Sequence, residues 1–417
     1  MRDRETVNSK EEEGALFDLT VIDLGHYIAG PYCASLLAGL GAEVIKIEQP
    51  GVGDGARQMG PFPKDEPHPE KSGIFNYLNL GKKSVTLNLK SKSGRDAFKR
   101  LVAEADVVIE NFSPRVMPSL GLEYEVLKEH NPQLVMTSIS NYGQTGPYRD
   151  YKGFEITLSS LGGVQAEIGE PDREPLKLGG QQLQYQAGLT AALTTMSAIC
   201  YRDLGGTGQH IDLAILEIAA TIKGCPTINF QFNGYNRVRN GMRPMSDTFR
   251  GDTRIPDVYP IAILPCLDGN VCVDTEQESQ FRDLCVMIGR PELADDPRFH
   301  SGQRGIHADE LDALLTEYLH TRTQREIFDE AADFRVPIGI LNDMGQLFHD
   351  PQHRERGFFV EVDHPILGRV EYPGHICIMS KTPWRVSRAP MLGEHNQEVL
   401  IERLGYSEEE IVEMISG

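Results

Sequence analysis

Short apolar runs alternate with small-residue or amphipathic segments along the first half of the chain. The runs TVIDLG, EVIKIE, SVTLNL, DVVIENF and LVMTSIS are rich in Val, Ile and Leu and are bounded by Gly, Pro or polar residues, which predicts buried strands. Between them, HYIAGPYCASLLAGLGA and KSGRDAFKRLVAEA have the composition or the apolar spacing of helices. This strand–helix–strand repetition predicts a parallel α/β sheet.

Loops follow the ends of four of these predicted strands, after Gly25, Glu48, Glu110 and Ser140. Ligands of open parallel sheets bind beyond the carboxyl ends of the strands. The residues of these four loops are therefore the first candidates for a functional site.

The residue types in these loops allow a binding and a structural interpretation. Lys82 and Lys83 stand at the start of a strand, where lysines either clamp a phosphate or protect a solvated sheet edge. An isolated His such as His26 is somewhat more often structural than catalytic. Asn111 and Tyr142 offer hydrogen-bonding groups either to a polar ligand or to the backbone of a turn.

The second half of the chain has a different pattern. A helix is predicted from Leu183 to Tyr201, and residues 222–260 shift to Asn, Arg, Gly and Pro, which indicates a crossover into a second domain. IAILPCLDGNVCVDT then predicts a hairpin. Helices are predicted around 278–290 and 307–333.

Composition limits the class of protein. A chain of 417 residues predicts two or three domains, and its net charge of −20 argues against nucleic acid as a partner, though not against a small anionic ligand. The seven cysteines show no zinc spacing, so we expect reduced thiols and no metal. The charged start lacks a signal peptide and no apolar run is long enough for a membrane span, which predicts a cytoplasmic protein without a membrane partner.

Several longer motifs together resemble one known family. They include IDLGHYIAGPYCASLLAGLGAEVIKIEQPGVGD, NLGKKSVTLNLKSKSGR, ADVVIENFSP, SISNYGQTGPY, RDLGGTGQHIDLAILE and RAPMLGEHNQEVL. The sequence is similar in all of them, and in the same order over almost the whole chain, to the family III CoA-transferases. This is the group of formyl-CoA transferase, carnitine CoA-transferase and α-methylacyl-CoA racemase.

The resemblance implies a fold and an assembly. The large Rossmann-like parallel-sheet domain would comprise residues 16–225 and 335–417, and a smaller α+β domain with its linkers would comprise 226–334. Residues 1–15 would form a disordered tail. Two chains would interlock like links, so the dimer would be obligate.

The resemblance also implies a CoA or acyl-CoA site. Beside His26, the segment Tyr27, Ile28 and Ala29 would contact CoA near its thiol. The adenine and phosphate end would lie near Asn79, Leu80, Lys82 and Lys83, with Arg57 as a further phosphate contact. The path between would be lined by Asn111, Phe112 and Tyr142. Gln49 stands where some family members have a nucleotide-contacting Arg.

The nucleophile of the family has no counterpart in this chain. In the transferases an Asp stands four residues before a Gly at the start of the alanine-rich helix, and its carboxylate attacks the acyl-CoA thioester. In KLGGQQLQYQAGLTAA, counting back four from Gly188 gives Gln184, whose amide cannot form the covalent intermediates. No small shift of the alignment restores an acid, because the neighbours are Gln181, Gln182 and Gln186, and Glu167 and Glu170 lie in a different turn.

These observations predict the non-nucleophilic subunit of a heteromeric CoA-transferase, whose paralogous partner supplies the Asp. Within the family, the chain resembles the Asp-lacking subunit of succinyl-CoA:(R)-benzylsuccinate CoA-transferases of anaerobic toluene degradation. That resemblance implies succinyl-CoA as donor and benzylsuccinate as acceptor, with this chain inactive alone. Two alternatives stay open: a homodimeric acyl-CoA racemase, isomerase or lyase, and a CoA-binding protein without catalysis.

Overall fold

The computed structural model describes residues 14–222, 224–234, 236, 239, 241–243, 248–250, 253–255 and 259–416. The chain divides into two compact units. The larger contains Met1–Gly162, Gly179–Ile222 and Pro351–Gly417, and the smaller contains Gly163–Leu178 and Lys223–Asp350. The predicted tail, residues 1–15, lies outside the described residues apart from its last two positions.

A six-stranded, fully parallel sheet forms the centre of the larger unit, as predicted. The strand order is β3-β2-β1-β4-β5-β6, and β1, β2, β4 and β5 are buried along almost their whole length because helices cover both faces. The strands are β1 (Thr20–Asp23), β2 (Glu43–Glu48), β3 (Lys83–Thr86), β4 (Val107–Glu110), β5 (Val135–Ser140) and β6 (His210–Ala214).

Eight helices connect or follow these strands. The amphipathic α3 begins where the Ser91 hydroxyl accepts the N–H of Gly94, and it buries Phe98 and Leu101 in the core. The helices are α1 (Ala29–Gly39), α2 (Gly73–Leu78), α3 (Lys92–Glu104), α4 (Val116–Leu120), α5 (Tyr124–His130), α6 (Glu155–Leu161), α7 (Gln182–Asp203) and α8 (Ile215–Thr221). Short 3₁₀ turns lie at Gly55–Gln58, Pro63–Asp65 and Val164–Glu167.

The smaller unit has its own antiparallel sheet and core. The predicted hairpin is confirmed, since β9 and β10 pair around a turn that contains Asp268 and Gly269. The elements are α9 (Gly224–Asn233), β7 (Thr248–Arg250), β8 (Thr253–Ile255), β9 (Ile261–Pro265), β10 (Asn270–Asp274), α10 (Glu278–Met287), α11 (Ala308–Leu319), α12 (Gln324–Phe334), β11 (Ile338–Ile340) and α13 (Met344–His349). Further 3₁₀ turns lie at Pro291–Asp295, Pro297–Phe299 and Arg304–His307.

The larger unit ends at Ile222, close to the predicted residue 225, and the unit boundaries differ more widely from those predicted in two other places. Residues 335–350 stay with the smaller unit because β11 pairs with β10. Gly163–Leu178 also belongs to the smaller unit, where Arg239 donates hydrogen bonds to the carbonyls of Glu170 and Arg173. A sequence pattern cannot reveal such long-range pairings.

The C-terminal segment returns to the parallel sheet of the larger unit. It contains α14 (Pro351–Glu355), the hairpin of β12 (Phe359–His364) and β13 (Gly368–Pro373), a π-helical segment (Gln397–Arg403) and α15 (Glu408–Ser416). The GEHNQ motif pairs with β3: Thr86 N–H donates to Asn396 Oδ1 at 2.8 Å, and His395 N–H donates to Ser84 O at 2.9 Å. The motif therefore covers the otherwise open edge of the sheet.

In the part of the chain that the structure describes, no helix combines the length and the apolar character that crossing a membrane requires.

Candidate active site at the carboxyl edge of the sheet

The strand order reverses between β1 and β4, and the loops after these two strands are hydrogen-bonded to each other. His26 N–H donates to Asn111 Oδ1 at 2.7 Å, and Asn111 Nδ2 donates back to His26 O at 2.8 Å. The rings of His26 and Phe112 lie 5.6 Å apart between centroids. The structure thus brings three of the predicted residues together at the point where doubly wound sheets bind ligands.

A cavity of about 350 Å³ opens at this point. Its walls come from the ends of β1, β2 and β4 and from the segment after β3. They are apolar at Leu24, Ile47 and Phe112 and polar at Gln49 and Lys90. A cavity of this size with few polar groups suits part of a nucleotide or pantetheine chain. Here Lys90, rather than a side chain at position 49, supplies a positive charge.

The segment from Tyr27 to Ala29 leads from this cavity into α1. Tyr27 adopts a left-handed backbone (φ 64°), which a non-glycine residue adopts only when its surroundings compensate for the strain. Its N–H donates to Asp54 Oδ1 at 2.9 Å, and its ring lies against Gly55, where an added Cβ would come within 2.5 Å of the ring. Tyr27 is half-exposed, while Ile28 and Ala29 are buried.

His26 is held in one orientation by the same loop. Burial lowers the pKa of His26, although Asp54 lies 3.7 Å from its Nδ1 and acts in the opposite direction. Nδ1 accepts the N–H of Gly55 at 3.3 Å, so the neutral ring carries its proton on Nε2. His26 thus offers a hydrogen-bond donor at the cavity.

Four buried charges form a cluster beneath this loop. Lys46 Nζ lies 2.9 Å from Asp54 and 3.5 Å from Asp23, and Lys82 Nζ lies 2.8 Å from Asp23. Burial opposes the ionisation of Asp23, but the two ammonium groups outweigh it and lower the pKa of Asp23. Burial lowers the pKa of Lys82 to about 8 despite Asp23. The cluster fixes the backbone of the β1 loop, since Lys46 also donates to Gly25 O.

Several residues that were expected to contact phosphate instead form hydrogen bonds and ion pairs with other residues of the protein. Lys82 directs its ammonium to Asp23, Pro31 O and Asn79 Oδ1, which uses all three of its donors. Arg57 is fully buried and pairs with Glu48 and Glu70 at 2.7 and 2.6 Å. These contacts position the loops around the site.

The remaining predicted contacts lie in three different surroundings. Lys83 is partly exposed and bridges Glu43 and Glu398 at 2.7 and 2.6 Å. Leu80 is half-buried beside Asn79. Tyr142 belongs to an aromatic cluster with Tyr148 and Tyr151, at 6.0 and 6.5 Å between ring centroids.

The geometry of α7 places Gln184 near the start of α1. Gly188 lies so close to α1 that an added Cβ would come within 2.7 Å of Ala29 O, and farther along α7 Thr195 lies beside the thiol of Cys33. The two helices therefore run in the same direction. Gln184 is half-buried and stands one turn before Gly188 on the same face, at the level of the loop that precedes α1.

An acid that sequence reasoning missed caps α7. Glu155 on α6 is buried, and its Oε1 accepts the N–H of Leu183 at 2.9 Å, while its Oε2 is buried without a hydrogen-bond partner among the described residues. The sequence contains no local signal for this contact, because Glu155 lies far upstream of α7 and reaches it only through the tertiary fold. Within the described ranges, no group of three or more His, Cys, Asp or Glu could hold a metal ion.

The chain is similar to known proteins over almost its whole length. The family model described as CoA-transferase family III matches residues 16–396. Succinyl-CoA–D-citramalate CoA-transferase of Chloroflexus aurantiacus is 34% identical over 97% of this chain and 98% of that protein. The alpha subunit of succinyl-CoA–L-malate CoA-transferase of the same organism is 34% identical over 97% of this chain and 92% of that subunit. Succinate–glutarate CoA-transferase of Agrobacterium fabrum is 32% identical over 93% and 95%.

Solved structures have the same fold. A CAIB/BAIF family protein from Brucella suis superimposes with a TM-score of 0.81 at 33% identity, covering 94% of this chain and all of that chain. Rv3272 from Mycobacterium tuberculosis has a TM-score of 0.78 at 26% identity, covering 92% of this chain and 99% of that chain.

Proposed function

Since this chain belongs to CoA-transferase family III, we propose that it is the subunit without a nucleophile in a heteromeric enzyme of that family. The enzyme moves CoA between an acyl-CoA and a carboxylic acid. The observation that carries the proposal is Gln184, which stands at the start of α7 beside the loop that leads into α1.

The transfer that the family resemblance implies depends on a carboxylate. Its oxygen attacks the thioester carbonyl, which gives a mixed anhydride and releases the CoA thiolate. The thiolate then attacks the anhydride, which gives an enzyme–CoA thioester and the free donor acid, and the acceptor acid reverses both steps. The amide oxygen of Gln184 is neutral and a poor nucleophile, and losing a covalent nucleophile costs on the order of 10⁴–10⁶ in rate.

The cavity supports the proposal that this chain itself still binds CoA. The cavity at the β1–β4 reversal has apolar walls and the cation of Lys90, and His26 offers a donor beside Phe112. We assign direct CoA contact to His26, Tyr27 and Phe112. Ile28 and Ala29 are buried at the start of α1, and both ends of the Asn111 amide are hydrogen-bonded to His26. Arg57, Asn79 and Lys82 position these loops, because their polar groups are engaged with protein atoms.

Two features support a second, different chain as partner. One similar protein is described as an alpha subunit, which names a heteromeric enzyme. The outer face of α7 also leaves Leu189, Leu193 and Tyr201 between 44% and 67% exposed, which is unusual for a surface that stays in water. We propose that the paralogous partner covers this face in an interlocked dimer and supplies the Asp.

The names of similar proteins support dicarboxylic substrates. Succinyl-CoA or succinate appears in the names of the citramalate, malate and glutarate enzymes. We propose succinyl-CoA as the donor and benzylsuccinate as the acceptor, the latter from the sequence resemblance alone.

Co-expression with a paralogous chain that carries the Asp tests the proposal. The rate of CoA transfer from succinyl-CoA to benzylsuccinate, and to malate and glutarate for comparison, is measured for both chains together and for each alone. We expect transfer by the pair and none above background by this chain.

A variant pair tests the position of the missing carboxylate. Gln184→Asp in the isolated chain should form a covalent adduct with succinyl-CoA, visible by mass spectrometry. Gln186→Asp adds the same charge on the same helix at an exposed position and should form none. Transfer by the unaltered chain alone, with an adduct on any of its own side chains such as Glu155, would contradict the proposal.

A further inference from the structure

A row of polar side chains crosses three neighbouring strands beneath the loop after β4. The register pairs Glu110 of β4 with Ser138 of β5, and Ser138 with Asp212 of β6. Glu110 is only 3% exposed, and its Oε2 accepts the backbone N–H of Phe112 at 2.7 Å. Glu110 therefore fixes the backbone of the residue whose ring forms part of the cavity wall.

A hydroxyl links this buried carboxyl group to the surface. Ser138 stands beside Glu110 in the strand register, where its hydroxyl lowers the pKa of the carboxyl group, and its Oγ lies 2.8 Å from Nε2 of His210 on the other side. His210 is exposed, and its ring stacks on Tyr124 at 5.5 Å between centroids. Because a hydroxyl both donates and accepts, Ser138 can donate to an ionised Glu110 or accept from a protonated one. Both protonation states of Glu110 thus keep a partner.

We propose that Glu110 is a positioning residue for CoA binding, whose ionised form fixes Phe112 at the cavity and whose protonated form holds it less firmly. The inference rests on the proposed function, since the ligand is the CoA of that cavity. An ionised carboxylate holds an N–H more strongly than a neutral carboxyl group does. The affinity for CoA should therefore rise as Glu110 ionises.

The surroundings of Glu110 place this change near neutral pH. Burial raises the pKa of Glu110 to about 7, the Ser138 hydroxyl and the Phe112 N–H act against the rise, and the charge of Asp212 adds to it. The other titratable groups around the row affect Glu110 indirectly. His210 contacts it through Ser138, and Tyr124 and Glu125 act on His210. His26 lies against the ring of Phe112.

Calorimetric titration of the full-length chain with CoA, from about pH 6 to about pH 8, tests the proposal. We expect the affinity of the unaltered chain to rise about fivefold over this range. Glu110→Gln keeps an acceptor for the Phe112 N–H but cannot ionise, so its affinity should lack that step. The titration of CoA's own phosphate is common to both proteins and cancels in the comparison.

The Ser138→Ala variant separates positioning from a merely structural role. The hydroxyl that this variant lacks favours the ionised form of Glu110, so the midpoint of the pH step should move to higher pH in the variant. An unchanged midpoint, or an equal step in Glu110→Gln, would overturn the inference.

A fluorine label on the ring of Phe112 gives a readout that needs no CoA. Its ¹⁹F resonance should titrate near pH 7 in the unaltered chain and stay constant in Glu110→Gln. A resonance that does not titrate in the unaltered chain refutes the coupling between Glu110 and Phe112. A resonance that titrates in a chain that binds no CoA supports the coupling and refutes the proposed CoA site of this chain instead.

Discussion

At the scale of single residues, the two adjacent lysines at the start of β3 have different roles. Lys82 is buried with its ammonium 2.8 Å from Asp23, whereas the side chain of Lys83 is 31% exposed and bridges Glu43 and Glu398. Removing one partner of a buried pair leaves an uncompensated charge in a poorly solvated place, while an exposed pair is replaced by water.

Replacement of each lysine by Met should therefore give different losses of stability. We expect Lys82→Met to lower the free energy of unfolding by about 3–5 kcal/mol, because Asp23 then retains only Lys46 as a cationic neighbour among the described residues. Lys83→Met, its matched control, should cost less than about 1 kcal/mol. Denaturant unfolding of both variants provides the measurement. Similar losses in the two variants would show that the Lys82 cluster does not hold the β1 loop.

The residues of the site were partly predictable from the sequence. His26 and Asn111 were found because strand ends of a parallel sheet share one edge, Phe112 was found through the family resemblance, and the structure joins all three there. The burial of Arg57 was not visible, because nothing in the local sequence shows that Glu48 and Glu70 surround it.

At the scale of elements, the close packing of α1 on α7 decides where Gln184 stands. Small residues make the approach possible, since Ala29, Ala187, Gly188 and Ala191 are all buried between or beside the two helices. The sequence predicted both helices from their alanine and glycine content. It could not predict α6, which is short and carries the capping Glu155.

Gly188→Ala tests this packing directly. The new methyl group would lie 2.7 Å from Ala29 O, a backbone atom that cannot move aside easily, so α7 must shift away from α1. We expect a loss of about 1–3 kcal/mol in unfolding free energy. Gly179→Ala, just before α7, meets no atom within 4 Å and should change stability by less than about 0.5 kcal/mol. Equal effects would mean that the α1–α7 contact is not tight.

At the scale of the whole molecule, the chain leaves the larger unit after Ile222 and returns to it at Pro351. The sequence indicated the crossover near residue 222 through its change in composition. The return to the larger unit at Pro351 is set by strand pairing, because β11 completes the smaller sheet before the chain leaves it. The GEHNQ motif then closes the β3 edge, which explains a conspicuous C-terminal motif that carries no evident chemistry.

The exposed apolar face of α7 leads to the final prediction, which concerns assembly. Leu193 is 67% exposed on this face, so Leu193→Lys should not disturb the fold but should place an ammonium in the proposed interface. We expect co-purification with the Asp-bearing partner to be lost, and with it the transferase activity of the pair, while the circular dichroism of the variant expressed alone matches that of the unaltered chain expressed alone. Val286→Lys, on α10 and 50% exposed, is the matched control and should leave the pair intact. A Leu193→Lys chain that still assembles and turns over would show that the partner binds elsewhere, because a buried, unpaired lysine at the centre of an apolar interface is too costly to be tolerated.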